Sequence, residues 1–202
     1  MSITIKDLKS KDYDIARQYA IEGMKLDCYC KYAHELYFYS RYYFYMELLK
    51  ATHILAAYEN DKLIGILLAQ INHEPTKINS FWLKTFVNSM TYITNKFFKG
   101  ESIYNNTNKE MLDKYKINNK PDGEILFFCV DKNVRGKGIG TLLLKELEKV
   151  AKGKKMYLYT DSFCTYQFYE KRGFNREQQR NIELSVHGNP MSLTCFLFSK
   201  VL

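Results

Sequence analysis

The feature that most constrains this chain is the glycine-rich segment RGKGIG at residues 135–140, which lies between a strand pattern and a helix pattern. The apolar run GEILFFCVD before it predicts a buried strand. The sequence TLLLKELEKVA after it predicts an amphipathic helix. Its apolar stripe would comprise Leu143, Leu147, Val150 and Ala151. A glycine-rich turn leading into a helix can hold an anion, because unpaired backbone N–H groups and the positive end of the helix dipole meet there.

The glycine spacing excludes two common phosphate loops. A Walker loop needs Gly-Lys-Ser/Thr four residues after a first glycine, whereas Gly138 directly follows Lys137 here. A GxGxxG dinucleotide fingerprint starting at Gly138 would require a third glycine where the chain has Leu143. Neither a nucleoside triphosphate nor a nicotinamide cofactor is therefore predicted.

Composition predicts one globular domain over residues 1–202. Hydrophobic residues make up 46% of the chain and charged residues 26%, unlike a disordered or a membrane-embedded protein. The apolar run at 63–71 is shorter than the roughly 20 residues that span a bilayer. The N-terminal sequence MSITIKDLKSKDYD lacks the apolar centre of a secretory signal, so a cytoplasmic location is expected.

Cysteine usage and net charge limit the kinds of metal site and binding partner that the chain is expected to have. The five cysteines are an odd number with no CxxC pair, which favours reduced thiols and predicts neither disulfides nor a metal site. The net charge of +8 suits an anionic partner, either nucleic acid, a membrane surface or a polyphosphorylated small molecule. Because the lysines are scattered, neither nucleic acid nor a membrane is favoured.

The order of elements predicts an α/β fold. A hairpin is expected at 52–71, where two apolar runs flank the turn sequence ENDK, and a tyrosine-rich helix at 31–50. Residues 75–122 form a polar insertion with one helical stretch at 81–98. Two interpretations of the insertion remain open, a lid over a binding site and a polar surface loop.

Two motifs together resemble one family. Residues 135–140 fit the pattern Gln/Arg-x-x-Gly-x-Gly/Ala, and the sequence FYEKRGF at 168–174 follows after one helix and one strand. This combination resembles the GNAT family of acyl-CoA-dependent N-acetyltransferases, tightly over 123–174 and elsewhere by element order. The resemblance implies a single GNAT-like α/β domain with a mixed, mostly antiparallel central sheet flanked by helices.

The resemblance also implies a site for acetyl-CoA. The loop would bind its pyrophosphate through the backbone, and the preceding strand would splay from its neighbour and bind the pantetheine arm. Ser162, where the family often has Asn, would contact the same arm. The implied cofactor-binding residues are Phe128, Cys129, Val130, Arg135, Gly136, Lys137, Gly138, Ile139, Gly140, Thr141 and Ser162.

Catalytic roles follow from the same resemblance. Tyr169 corresponds to the family's general acid for the departing sulfur, with Tyr166 as a second candidate. Glu124 occupies a position where relatives often carry the general base, although a solvent-facing carboxylate is an equal alternative. Surface or turn roles are predicted for His73 and Glu74, and Asp161 is predicted to cap the helix that follows its strand.

The implied reaction is transfer of acetyl from acetyl-CoA to the primary amine of a small molecule, by direct attack in a ternary complex. The tyrosine-rich helix would wall the acceptor side and hold an amine cation by cation–π contact. Two alternatives stay open, a protein or peptide N-acetyltransferase and a non-catalytic acyl-CoA-binding regulator. A homodimer is also compatible with the sequence.

Overall fold

A mixed sheet forms the centre of the molecule. The computed structural model describes residues 3–97, 99–186 and 188–202, and within them the sheet has seven strands in the order β1-β2-β3-β4-β5-β7-β6. All neighbours are antiparallel except β4 and β5. The strands are β1 (Ile3–Lys6), β2 (His53–Glu59), β3 (Lys62–Ile71), β4 (Gly123–Val130), β5 (Lys155–Asp161), β6 (Asn175–Val186) and β7 (Asn189–Val201).

Helices cover both faces of this sheet. One face packs against α1 and α2, and the other against α5 and α6, so that two apolar cores lie on opposite sides of β3. Because both of its faces are buried, β3 consists almost entirely of apolar residues. The helices are α1 (Tyr13–Met24), α2 (Ala33–Lys50), α3 (Phe81–Phe97), α4 (Lys99–Lys116), α5 (Ile139–Val150) and α6 (Gln167–Glu170).

The two parallel strands separate soon after they meet. The pairing of β4 with β5 comprises Gly123 with Met156 and Glu124 with Tyr157. Immediately beyond, the β3–β4 register shifts, and Leu126 becomes an extra residue opposite β3. A bulge bends its strand, so β4 continues along β3 while β5 diverges toward β7. The predicted splay is therefore present, and it opens a gap within the sheet.

The insertion folds into two helices, whereas one was predicted. The helix predicted at 81–98 corresponds to α3, and its last residue, Phe98, lies outside the described residues. The second helix, α4, packs Met111 and Tyr115 against the β6–β7 hairpin. The alternative of a polar surface loop is wrong. It arose because α4 has few apolar residues, although two of its largest recur at the four-residue helical spacing.

The predicted apolar stripe of α5 needs one correction. Leu143, Leu147 and Ala151 are fully buried as expected, but Val150 is 46% exposed. Leu144 takes its place in the core at 2% exposure. The buried stripe therefore comprises Leu143, Leu144, Leu147 and Ala151, and Val150 lies at its solvent-exposed edge. No helix within the described ranges is long and apolar enough to cross a membrane.

The position of α5 in the core predicts the effect of a truncation. Leu147→Ala removes a fully buried side chain and should lower the free energy of unfolding by about 2–5 kcal/mol, measured by urea denaturation. Val150→Ala on the same helix is the matched control and should change it by less than about 0.5 kcal/mol. Equal effects at both positions would contradict this packing.

Candidate active site

The main chain of β4 presents unpaired groups to the gap. The Asp131 N–H donates to the Ile64 carbonyl oxygen at 2.9 Å, so the main-chain groups of Cys129, two residues earlier, also face β3. Because successive residues alternate, the N–H and C=O groups of Phe128 and Val130 face the gap toward β5. These two residues can therefore pair with an extended ligand, whereas Cys129 faces away from it.

The glycine-rich segment leads directly into the first turn of α5. Gly136 and Gly138 have φ of +83° and +82°, a region that side chains other than glycine adopt only with strain. The N–H groups of Ile139, Gly140 and Thr141 open the helix and have no acceptor in the described part of the chain. Together with the helix dipole they form an anion site, and the loop geometry therefore fits a phosphate group.

Two glycines keep this loop accessible and close to α6. A Cβ at Gly138 would have no neighbour within 4 Å, so it would project into open space beside the loop. A Cβ at Gly140 would lie 2.9 Å from the ring of Phe168. Gly140 therefore allows α6, which carries Tyr169, to pack tightly against the first turn of α5.

Arg172 joins the loop to the helix of Tyr169, a contact that sequence reasoning missed. Its Nε donates to the Thr141 hydroxyl at 3.2 Å, and one terminal nitrogen donates to the Phe168 carbonyl at 3.2 Å. The guanidinium also lies 3.7 Å from the centre of the Phe168 ring. The only signal in the sequence was an arginine inside the FYEKRGF motif.

Tyr169 is held at the gap by aromatic packing. Its ring centre lies 5.5 to 6.3 Å from those of Phe128, Phe174 and Phe198. It lines a cleft of about 100 Å³ between β4 and β5. No described residue makes a hydrogen bond to its hydroxyl group. Burial raises its pKa well above the ordinary value, so the hydroxyl stays protonated and can donate.

Tyr166, the second candidate donor, has a structural position instead. Its ring packs on Phe196 at a centroid distance of 4.6 Å, and the guanidinium of Arg176 lies 5.6 Å from the ring centre. It is absent from the walls of the cleft that Tyr169 lines. The structure therefore distinguishes the two candidate donors, because Tyr169 lines the cleft and Tyr166 does not.

A larger cavity of about 1100 Å³ adjoins the cleft. Its walls come from α2, α4, β4, β5 and the end of β6. The tyrosine-rich helix contributes one face, which carries Glu35, Tyr39, Tyr43, Met46, Glu47 and Lys50. The residues shared by cavity and cleft are Met24, Tyr43, Tyr104, Ile125, Leu126, Tyr159 and Asp161.

Two carboxylates lie together at one end of this cavity. Glu124 accepts a hydrogen bond of 2.8 Å from the Tyr157 hydroxyl, and burial raises its pKa. Glu47, which the sequence reasoning missed, is 8% exposed and lies 3.2 Å from the ammonium group of Lys50. Burial nevertheless raises the pKa of Glu47 to about 7, and the nearby charge of Glu124 adds to the increase.

The other predicted residues take varied positions. The side chains of Arg135 and Lys137 are exposed beside the loop. The Ser162 hydroxyl accepts from the Thr194 amide at 3.2 Å, which leaves its own proton to donate. The prediction that Asp161 caps the following helix is wrong, because α6 begins only at Gln167; Asp161 instead accepts from the Phe163 amide at 2.8 Å in the intervening turn. His73 lies in a turn at φ +69°, and Glu74 lies 3.6 Å from His53. All five cysteines are free thiols.

The family follows from a comparison with known proteins. The model of the Acetyltransferase (GNAT) family matches residues 18–174, which include the gap, the loop and Tyr169. The chain belongs to this family. It is therefore an acetyl-CoA-dependent acyltransferase, and both the predicted resemblance and the predicted fold class are confirmed. The free loop amides and the β4 groups at the gap suit a pyrophosphate and an extended arm, so the residues present fit this cosubstrate.

Solved structures share the fold of this GNAT chain. PH1933 from Pyrococcus horikoshii is 20% identical with a TM-score of 0.58, and the match covers 100% of both chains. The PaiA N-acetyltransferase from Thermoplasma acidophilum, solved in complex with coenzyme A, is 18% identical, TM-score 0.53, with 100% of both chains covered. Arabidopsis thaliana NAA60, solved with a bisubstrate analogue, is 15% identical, TM-score 0.56, covering 99% of this chain and 98% of that one. No curated protein sequence matches.

The raised pKa of Glu47 predicts a pH-dependent stability. As the pH rises from about 5 to about 8, the folded wild-type protein must ionise a buried carboxyl group. The pKa of that group in the unfolded chain is near 4.5. It should therefore lose up to about 3 kcal/mol of unfolding free energy relative to Glu47→Gln over this interval. Urea denaturation across the range measures the difference. A parallel pH dependence in both proteins would show that Glu47 is not buried in this way.

The loop geometry predicts a selective loss of cosubstrate binding. Gly138→Val should abolish detectable acetyl-CoA binding in titration calorimetry, because the side chain would project where the phosphate binds. Gly153→Val is the matched control, since Gly153 has φ +76° and equally open space at the turn after α5. Both variants carry similar backbone strain, but Gly153→Val should keep the wild-type affinity for acetyl-CoA. Normal binding by Gly138→Val would rule out the loop as the phosphate site.

Proposed function

We propose that this GNAT protein transfers acetyl from acetyl-CoA to a primary amine of a small molecule, by direct attack in a ternary complex. The observation that carries the proposal is the junction of the two spaces. The cleft that Tyr169 lines opens into a cavity walled by α2, α4 and β6, and the carboxylates of Glu47 and Glu124 lie in that cavity.

The chain would orient the cosubstrate from two directions. Acetyl-CoA supplies the thioester that the amine attacks. The amides of Gly138 to Thr141 would hold the pyrophosphate, while Phe128 and Val130 pair with the pantetheine arm in the gap. Ser162 would donate its hydroxyl proton to the same arm. The N–H near Val130 then stabilises the negative charge that develops on the carbonyl oxygen.

Proton transfers would use groups on the two sides of the gap. The attacking amine must lose one proton, and Glu124 accepts it through a water molecule. The leaving thiolate must gain one, and Tyr169 donates it because burial keeps its hydroxyl protonated. The C–N bond forms as the C–S bond breaks, so the products are an amide and a thiol. No covalent bond to the enzyme is needed.

A small acceptor fits this site better than a protein terminus. The insertion places α4 over the cavity, where Tyr104, Asn105, Asn108, Lys109 and Leu112 form a wall. A peptide would need an open groove at this position. We assign the helices of 75–122 the role of a lid, because α4 closes the side of the cavity opposite α2.

The assay for this proposal is release of the CoA thiol. Small primary amines should be acetylated with saturable kinetics, whereas peptides with a free N-terminus should give kcat/KM values at least about tenfold lower. Turnover of peptides alone would favour the protein N-acetyltransferase. Tight acetyl-CoA binding with no turnover of any amine would favour the non-catalytic regulator.

Tyr169→Phe tests the assignment of the acid within the same assay. The variant should lower kcat by about 10²-fold or more, because it removes the proton donor, and leave acetyl-CoA affinity unchanged. Tyr166→Phe, three residues earlier, should behave as wild type since that ring packs outside the cleft. Unchanged turnover in Tyr169→Phe would remove this residue from the mechanism.

A further inference from the structure

The larger cavity is acidic although the chain as a whole is basic. The net charge of the sequence is +8, yet four carboxylates and two lysines line the cavity. Lys50 is paired with Glu47 at 3.2 Å, and Lys109 is exposed at the rim. Buried negative charge in the cavity also comes from Glu124 and Asp161. The interior therefore attracts cations while the exterior repels them.

Asp161 is the most informative of these carboxylates. It is 6% exposed and lies where the cavity meets the cleft of Tyr169. One oxygen accepts from the Phe163 amide, and the other lies 3.4 Å from the Tyr104 hydroxyl. The amide and thiol of Cys164 also donate to this carboxylate. Among the described residues no lysine, arginine or histidine lies within 4.0 Å of it. A buried carboxylate without a counter-cation is costly, and a cationic ligand would offset that cost.

Aromatic side chains surround this carboxylate. Tyr29 and Tyr104 line the cavity, and burial followed by the charge of Asp161 raises the pKa of both. Tyr159 lies two residues before Asp161 on the same side of β5 and lines the cavity as well. Tyrosine faces beside a carboxylate attract an ammonium group by cation–π contact and by charge.

An orphaned amide on α4 independently indicates a ligand with N–H donors. Asn108 is 7% exposed and lines the cavity, and its Oδ1 has no hydrogen-bond donor among the described residues. Asn108 lies four residues after Tyr104, so both project from the same face of α4. A buried acceptor without a donor costs about 1–3 kcal/mol unless a ligand supplies one.

The gap opens into the cavity beside Asp161. The opening is marked by residues that line both spaces, among them Leu126, Tyr159 and Asp161 itself. Glu47 and Glu124 lie away from it, at the end of β5 that carries Tyr157.

We propose that the acceptor is a diamine: one amino group is acetylated at the gap, and the second binds as an ammonium ion to Asp161, Tyr29, Tyr104 and Asn108. This inference rests on the proposed acetyl transfer and specifies its acceptor. Because Asp161 and Tyr104 line both the cleft and the cavity, the second nitrogen would bind beside the junction of the two spaces. Selectivity then depends on a group remote from the reacting nitrogen.

The test compares amines that differ in the second nitrogen alone. Thiol release is measured with diaminopropane, diaminobutane, diaminohexane and diaminooctane, and with the alkylmonoamines of equal chain length. The wild type should prefer at least one of these diamines over its monoamine by at least about tenfold in kcat/KM. Asp161→Asn keeps an acceptor for the Phe163 amide and should reduce this preference about tenfold, toward unity.

Two further variants complete the design. Asn108→Leu removes the orphaned amide without loss of volume, so it should fold and still lower the diamine preference. Glu183→Gln removes an exposed carboxylate of β6 that is not part of the cavity wall, and its preference should equal that of the wild type. A change in Glu183→Gln as large as that in Asp161→Asn would indicate a general charge effect and overturn the site.

The outcomes separate this inference from the proposed function. Monoamines turned over as well as diamines, with no effect of Asp161→Asn on the ratio, would overturn the diamine site and leave acetyl transfer intact. Acetyl-CoA binding without turnover of any amine would overturn both. A preference that survives in Asp161→Asn but disappears in Asn108→Leu would exclude Asp161 as the ammonium ligand.

Discussion

The short pairing between β4 and β5 is the constraint on which the site depends. Two register positions hold these strands together, and the bulge at Leu126 then turns β4 away from β5. Main-chain groups that a longer ladder would have used remain available to a ligand. The same divergence gives Tyr169 access from one face of the sheet and the acceptor cavity access from the other.

The glycine-rich loop and Tyr169, the proposed acid, are linked through a few contacts. Gly140 lets Phe168 approach the first turn of α5, and Arg172 connects Thr141 with the Phe168 carbonyl. Tyr169 follows Phe168 directly, so its position depends on the same contacts. Cosubstrate bound at the loop would therefore meet an acid that the loop itself helps to position.

The sequence predicted the parts of the site that are local along the chain. The loop, the strand before it and the tyrosine motif lie within 123–174, where order and spacing suffice. Glu47, Asn108 and Arg172 were missed because their roles depend on which helix face meets the cavity or the loop. Those contacts join residues that are distant along the chain, so the local sequence pattern does not reveal them. The helix α4 was missed because its apolar residues are few and pack on strands distant in sequence.

The proposed acetyl-CoA site and the wall of the larger cavity come from different stretches of chain. The proposed cosubstrate contacts lie on β4, the loop, α5 and the start of the segment after β5, whereas the insertion supplies one wall of the larger cavity, the proposed acceptor site. The second insertion helix rests mainly on the β6–β7 hairpin and leaves the loop untouched. Replacement of this helix pair would thus give a different acceptor range while the acetyl-donor site stays the same, which makes the insertion a natural unit for divergence within the family.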